Sequence, residues 1–458
     1  WSLVDPQSRG ALEASLIFAA EKSHLEILET SLTRLLTLEP EYRTHWFASF
    51  WAGLPVDQQN DFLNVLTRVA NQFNNGSLAM VVSEAKNRMD TQSGTDWLDL
   101  WLAANEPSAS VVLFRARLEL PDRRAAIQLI DQFPDVASDL NIRAQLARWH
   151  GLEGNDEQAL QLLSGVIDDD PSRYQDLLTL GLLEMQTDNY DAAESRLKSL
   201  LASEQYRSNA YYHLGEVAVQ KEQIDLAIDR FLRVERSELV IEARKQLANL
   251  AVQKNDSEQA QRWFAEARLL FPDFKRQLYL AEAQFQTANN MASSAIPVLT
   301  KALSKEPESV EILYTRALAF EQLGNIDGAE TDLRKILDLK PNDPDAMNAL
   351  GYTLADRTDR YQEAFFLIEK ALEQKPESAA ILDSMGWVLL KLGRLDEAEP
   401  HFEKAWKRSK DHEIAAHYGE LLWLLGRQQD AREIWDLGYE SNPESDKIRD
   451  TIQRLTNS

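Results

Sequence analysis

The sequence predicts an all-α fold, a solenoid of stacked helix hairpins, and three markers that keep phase with one another predict it. A small residue recurs at Ala159, Ala193, Ala227, Ala260, Ala295, Ala329, Ala364, Ala398 and Ala431, at spacings of 33 to 35 residues. Pro171, Pro272, Pro307, Pro341, Pro376 and Pro443 each follow one of those alanines by twelve residues. A second small residue, at Ala147, Gly181, Gly215, Ala248, Ala283, Ala317, Gly351, Gly386 and Gly419, precedes each alanine by twelve or thirteen. Two helices of about twelve to fourteen residues plus two short turns fill a period of about 34. One such hairpin cannot bury its own apolar face, so it needs neighbours of the same kind.

Taken in order, residues 1–104 read as a helical N-terminal region that lacks the period. Ala11 to Ala20 and Leu25 to Leu38 carry apolar residues at helical spacing, and Glu39-Pro40 ends the second segment. Tyr42 to Trp51 and Val56 to Phe73 are expected as helices on either side of Gly53-Leu54-Pro55, and Asn74-Asn75-Gly76 interrupts the chain again. Trp46, Trp51, Trp97 and Trp101 make the region rich in aromatics; it either packs on the repeats or consists of degenerate ones. Residues 105–139 read as a degenerate helix pair, with Pro121 opening the second helix, where a missing N–H costs little.

Residues 140–445 read as nine regular units. In each, the Gly or Ala of the first helix is expected to let the alanine of the second pack against it. A large residue four after the alanine, such as Leu163, Phe231, Phe264, Leu333, Phe402 or Trp435, fills the space between the helices. Proline then stops the second helix. The unit at 345–378 carries one extra residue within Asp356 to Tyr361, and the unit at 379–411 has Lys410 where proline is expected. Residues 446–458 read as a capping helix, with Ile448, Ile452 and Leu455 on one face and a polar outer side.

Bulk composition narrows the function classes. The 458 residues include 49 basic and 74 acidic side chains, a net charge of -25. A surface of that sign repels nucleic acid and anionic lipid, and it suits basic partners or the solubility of a long array. The chain has no cysteine, which excludes disulfides, thiolate zinc sites and cysteine nucleophiles. No apolar run is long enough to span a bilayer. The chain begins at Trp1, so a mature form or a fragment is expected, with any signal peptide or lipid-bearing cysteine upstream. Phosphate-binding glycine motifs and the nucleophile elbow are absent from the sequence. His412 and His417 are five apart and fall on different helix faces, so they do not share a metal. No catalytic residue, cofactor or metal is expected.

The units resemble the tetratricopeptide repeat, whose pattern of an aromatic, Leu-Gly, a Tyr-like position, Ala, Phe, Ala and Pro is matched over about residues 140–445. The resemblance implies a right-handed superhelix whose inner wall comes from the first helix of each unit. Carried onto this sequence, the wall positions include Tyr212 and Glu216, Lys245 and Asn249, Tyr314, Leu318 and Glu321. They continue with Tyr352 and Asp356, Asp383 and Trp387, and Glu420 and Trp423. Aromatic rings and carboxylates together suit an extended peptide, by stacking and by charge pairing to Arg or Lys. Tyr212 and Tyr314 are expected to be exposed. Trp387 stands open between the groove and packing among helices. Lys245 and Asn249 also resemble the start of a carboxylate clamp, but Ala281, Glu311 and Thr315 stand where the clamp needs Asn and basic residues. A chaperone-tail receptor is therefore excluded.

Within residues 349–388, the phrases ALGYTLAD and DSMGWV resemble the tetratricopeptide outer-membrane lipoproteins of pseudomonads that partner a periplasmic carboxyl-terminal processing protease. That resemblance implies a non-catalytic adaptor that binds the serine protease and delivers protein or peptide substrates such as cell-wall hydrolases. It implies a periplasmic location, with the membrane reached only through an N-terminal lipid outside this chain, and no nucleic-acid partner. The alternative is a scaffold for an envelope assembly complex, of peptidoglycan or lipopolysaccharide. An enzyme would need a catalytic domain beyond the residues present.

Overall fold

A computed structural model describes residues 8–456 except 23, 40, 41, 43, 45, 91, 92, 107 and 236. The expected stop at Pro40 lies outside the described residues. Those residues form 28 α-helices and a short 3-10 turn, with no strand among them, so the fold is all-α. They fall into two compact units, residues 1–223 and 224–458.

The first unit holds α1 (Arg9–Glu21), α2 (Leu25–Leu38), α3 (Trp46–Ala52), α4 (Val56–Phe73), α5 (Gly76–Met89), α6 (Ser93–Ala104) and α7 (Ala109–Arg117). It continues with α8 (Arg123–Asp131), α9 (Pro134–Ala137), α10 (Leu140–Leu152), α11 (Asp156–Asp169), α12 (Tyr174–Gln186), α13 (Tyr190–Leu200) and α14 (Arg207–Gln220). The tryptophans of the N-terminal region serve its core. Trp51 is buried and donates its Nε1–H to the Gln59 carbonyl at 3.2 Å, and Trp46 stacks on Phe47 at 3.9 Å. Trp101 shares a core with Val111, Ile130, Ile142 and Trp149, so these helices pack on the hairpins that follow.

Two expectations here are corrected. The helix expected from Tyr42 starts only at Trp46. Thr44 instead donates its backbone N–H to the Ser77 hydroxyl at 3.1 Å, which ties the preceding chain to α5. Pro121 does not open α8. It precedes the cap Asp122, whose side chain accepts from the Ala125 N–H at 3.0 Å, satisfying one of the free donors at the helix start.

The second unit holds α15 (Ile224–Leu232), α16 (Leu239–Gln253), α17 (Ser257–Leu270), α18 (Lys275–Ala288), α19 (Ala292–Leu303), α20 (Val310–Gln322) and α21 (Ile326–Leu339). It ends with α22 (Pro344–Arg357), α23 (Tyr361–Gln374), α24 (Ala379–Lys391), α25 (Leu395–Arg408), α26 (His412–Leu424), α27 (Gln428–Ser441) and α28 (Asp446–Thr456). One hydrophobic core runs from Tyr279 to Ile448. On the closing helix α28, Ile448 is fully buried, while Ile452 and Leu455 pack at the edge.

The period has a physical basis in each hairpin. The nine marker alanines are at most 2% exposed. The glycine of the first helix does more than expected: at Gly351 a Cβ would meet both the Ala364 carbonyl and Ile368, and at Gly386 and Gly419 the room goes to the large residue instead of the alanine. A Cβ on Gly386 would stand 2.8 Å from the Phe402 ring, and one on Gly419 would stand 2.0 Å from the Trp435 indole nitrogen. Burying a ring of that size contributes roughly 1.5–3 kcal/mol, and the missing Cβ lets it lie flat on the neighbouring backbone. Eight of the hairpins turn through one left-handed residue placed five before the alanine: Gly154, Asp188, Glu222, Asn255, Asn290, Gly324, Gly393 and Gly426. The next N–H then reaches back to a carbonyl five residues earlier, as Arg394 does to Leu389 at 2.9 Å. The unit with the extra residue turns differently. Thr358 stays extended, and its hydroxyl accepts from the Arg360 N–H at 3.1 Å.

Candidate functional site

In the second unit the first helices of successive hairpins, α18, α20, α22, α24 and α26, form a row, and two cavities open along it. The larger, about 670 Å³, is lined by residues of α20, α22, α24 and α26 together with Lys447 of α28. The other, about 600 Å³, lies against α18, α20 and the turn before α22. Tyr314, Leu318 and Gln322 of α20 line both, so the two adjoin. They lie on one face because i, i+4 and i+8 are neighbours on a helix.

The larger cavity is acidic. Glu321, Asp383, Asp411 and Glu413 line it, against Arg357 and Lys447. Burial raises Glu321 above the ordinary carboxylate value, and Arg357 and Lys447 work in the opposite direction. Burial likewise raises Tyr352, reinforced by Asp356, Asp383 and Glu413. The Tyr352 hydroxyl accepts a hydrogen bond from Lys447 Nζ at 3.0 Å.

At the bottom of this wall lies a buried pair. His417 Nδ1 and Asp383 Oδ2 are 2.8 Å apart, with the side chains 4% and 9% exposed. Trp387 stacks on the imidazole at 4.3 Å, and Tyr352 and Phe402 stand 6.0 and 6.4 Å from it. Asp383 Oδ1 is buried with no hydrogen-bond partner among the described residues, and the same holds for Asn348 Oδ1. Both residues line the larger cavity.

Of the expected wall residues, Tyr314, Leu318, Glu321, Tyr352 and Asp383 line it. Tyr314 is half-buried rather than exposed. Tyr212 is buried in the first unit, its ring edge-on to His213 at 5.1 Å, contrary to the exposure expected of it. Glu216 accepts from His213 Nδ1 at 2.7 Å. Trp387 is 4% exposed and belongs to the packing: besides His417 it carries Lys391 Nζ over its ring at 4.3 Å. Lys245 pairs with Glu242 at 2.9 Å, Asn249 is exposed, and neither lines the two cavities. Asp356 pairs with Arg357 at 2.9 Å. Glu420 is held by Arg454 of α28 through two hydrogen bonds of 2.8 and 2.5 Å, and Trp423 is half-buried against Trp435. Among the described residues no cluster of His, Asp and Glu is placed to hold a metal ion, and no helix is long and apolar enough to cross a membrane.

Sequence reasoning did not single out Asn348, Arg357 or Lys447. Asn348 stands one repeat, 35 residues, before Asp383, so the same wall rule reaches it. Lys447 arrives from the closing helix, which carries no repeat numbering.

Tetratricopeptide repeat models match residues 178–238, 286–351 and 384–446, so the chain carries tetratricopeptide repeats. It is similar to TPR repeat-containing protein PA4667 of Pseudomonas aeruginosa, 34% identical over 247 residues, which is 54% of this chain and 42% of that protein. It is also similar to the type IV pilus assembly protein PilF of the same organism, 25% identical over 151 residues, 32% of this chain and 59% of PilF. The chain thus spans about half the length of these two relatives. Among solved structures, the tetratricopeptide protein TTC0263 of Thermus thermophilus is 22% identical, with a TM-score of 0.36 over 40% of this chain and 97% of that one.

Proposed function

We propose that this chain is a non-catalytic adaptor that captures extended protein segments in the groove of its second unit. Its partner is a periplasmic carboxyl-terminal processing serine protease, to which it presents substrates such as cell-wall hydrolases. It works in the periplasm, held at the outer membrane by a lipid outside this chain. The observation that carries the reading is the pair of adjoining cavities along one row of helices, walled by tyrosines and carboxylates. Together they offer a track rather than a single closed pocket, and an extended peptide fills a track with alternating side chains. The resemblance of residues 349–388 to protease-partnering lipoproteins supports the choice of partner.

The test is a titration. Purified protease cleaves a cell-wall hydrolase in the presence of increasing amounts of this chain, and cleavage is expected to accelerate and then saturate. An unchanged rate at saturating chain overturns the reading.

The similarity to PilF, a type IV pilus assembly protein, favours a second reading, a scaffold for an envelope assembly complex. Affinity capture that returns assembly enzymes and no protease distinguishes it from the first.

A further inference from the structure

We infer that the larger cavity is a subsite for an arginine side chain of the captured segment, with Asp383 Oδ1 and Asn348 Oδ1 as its acceptors. The assignment rests on the groove's binding extended peptide and names what one position of that peptide must be.

Two observations carry it beyond the acidic lining. The first is the pair of orphaned acceptors. A buried acceptor without a donor has lost its water and gained nothing in return, and the cost is higher when it is charged. Asp383 cannot turn away from this cost, because its other oxygen is held 2.8 Å from His417 Nδ1 and Trp387 stacks over that imidazole. Both unpartnered oxygens belong to residues that line the same cavity, so a group with several donors seated there answers both. A guanidinium carries five N–H donors in a planar fork and no acceptor, and it stacks on aromatic faces. Tyr352 and Tyr314 supply such faces on the cavity wall.

The second observation is Lys447. A cation already stands at this site, donating to the Tyr352 hydroxyl at 3.0 Å and lying 5.7 Å from its ring centre. It comes from the closing helix and leaves Asp383 Oδ1 and Asn348 Oδ1 unserved. Lys447 therefore marks the site as one that favours positive charge, while competing with a cation from outside.

The experiment uses the full chain and two pools of nine-residue peptides, degenerate except for a central arginine in one and a central citrulline in the other. Citrulline keeps the shape and removes the charge. Binding is read by fluorescence anisotropy. The arginine pool is expected to bind about tenfold or more tightly than the citrulline pool, the ratio that one charge-assisted hydrogen bond supplies. Asp383→Asn keeps an oxygen for His417 and turns an acceptor into a donor, so the preference for arginine is expected to collapse to about onefold. Lys447→Met removes the internal cation outside the core, and the arginine pool is expected to bind several-fold more tightly than to the parent chain. Equal binding of both pools overturns the arginine subsite and leaves the groove reading standing. Binding of neither pool overturns the groove reading and the subsite with it. An arginine preference that survives unchanged in Asp383→Asn, with Lys447→Met also unchanged, places the discrimination elsewhere and overturns the assignment.

Discussion

Glu321 is the side chain through which pH reaches the groove. Burial raises it above its ordinary value of 4.5, Asp356 and Glu413 push the same way, and Arg357 and Lys447 oppose them. The stability it contributes is therefore complete below 4.5 and lost as pH rises through its raised folded value. Binding runs the other way, because a cationic ligand prefers the ionised carboxylate. Affinity for an arginine-bearing peptide is expected to increase as pH climbs from 4.5 through that raised value, and then to level off. Peptide titrations across the window check it: Glu321→Gln should flatten the rise, and an identical slope in that variant assigns the titration to another group. At this scale the sequence was legible in part. Tyr352, Glu321 and Asp383 are where the repeat numbering puts them, on the groove. Tyr212 and Trp387 are not, because numbering gives the helix face from which a side chain starts and not the neighbour it finds. Trp387 finds His417, one repeat further on, and a ring that can stack on a buried imidazole gains more there than in water.

The hairpin is the scale at which the sequence was most legible, since its markers are steric. Pro171, Pro272, Pro341, Pro376 and Pro443 stand two residues beyond the last residue of their helices. The turns were half legible: Gly154, Gly324, Gly393 and Gly426 announce a left-handed residue, while Asp188, Glu222, Asn255 and Asn290 take the same conformation with side chains. Glu222 is the least suited of these, at φ 57°. An L residue there costs roughly 1–2 kcal/mol, and glycine loses part of that gain to its freer unfolded chain. Glu222→Gly is therefore expected to stabilise by about 0.5–1 kcal/mol, seen as a higher urea midpoint; no gain means the turn carries no such strain. Between helices, α20 and α21 are joined by Arg316 and Asp332, two parallel hydrogen bonds of 2.7 Å with Asp332 2% exposed. Asp332→Ala takes away the guanidinium's carboxylate, leaving it the Thr300 hydroxyl at 2.9 Å, and should cost about 3 kcal/mol. Replacing both partners, Arg316→Met with Asp332→Leu, should cost much less. Equal losses in the two variants would mean that packing, not the stranded charge, sets the cost.

Across the whole molecule a fixed period hides where function sits, because every hairpin repeats the same architecture. The larger cavity of the second unit arises where tyrosines, carboxylates and the closing helix coincide, and only the first two of these follow the repeat. The same architecture makes a sharp statement about cooperativity. Each hairpin packs mainly on its sequence neighbours, so damage should travel along the chain one interface at a time. Ala398 of α25 is fully buried. Ala398→Leu inserts three carbons where none fit, and overpacking of that kind costs about 1–3 kcal/mol. Amide hydrogen exchange is the measurement that resolves where the cost falls. Protection is expected to drop in α22 to α27, the hairpins on either side of the lesion, and to hold in α10 to α13 of the first unit. A drop of equal size in α10 to α13 would mean that the two compact units unfold as a single cooperative body.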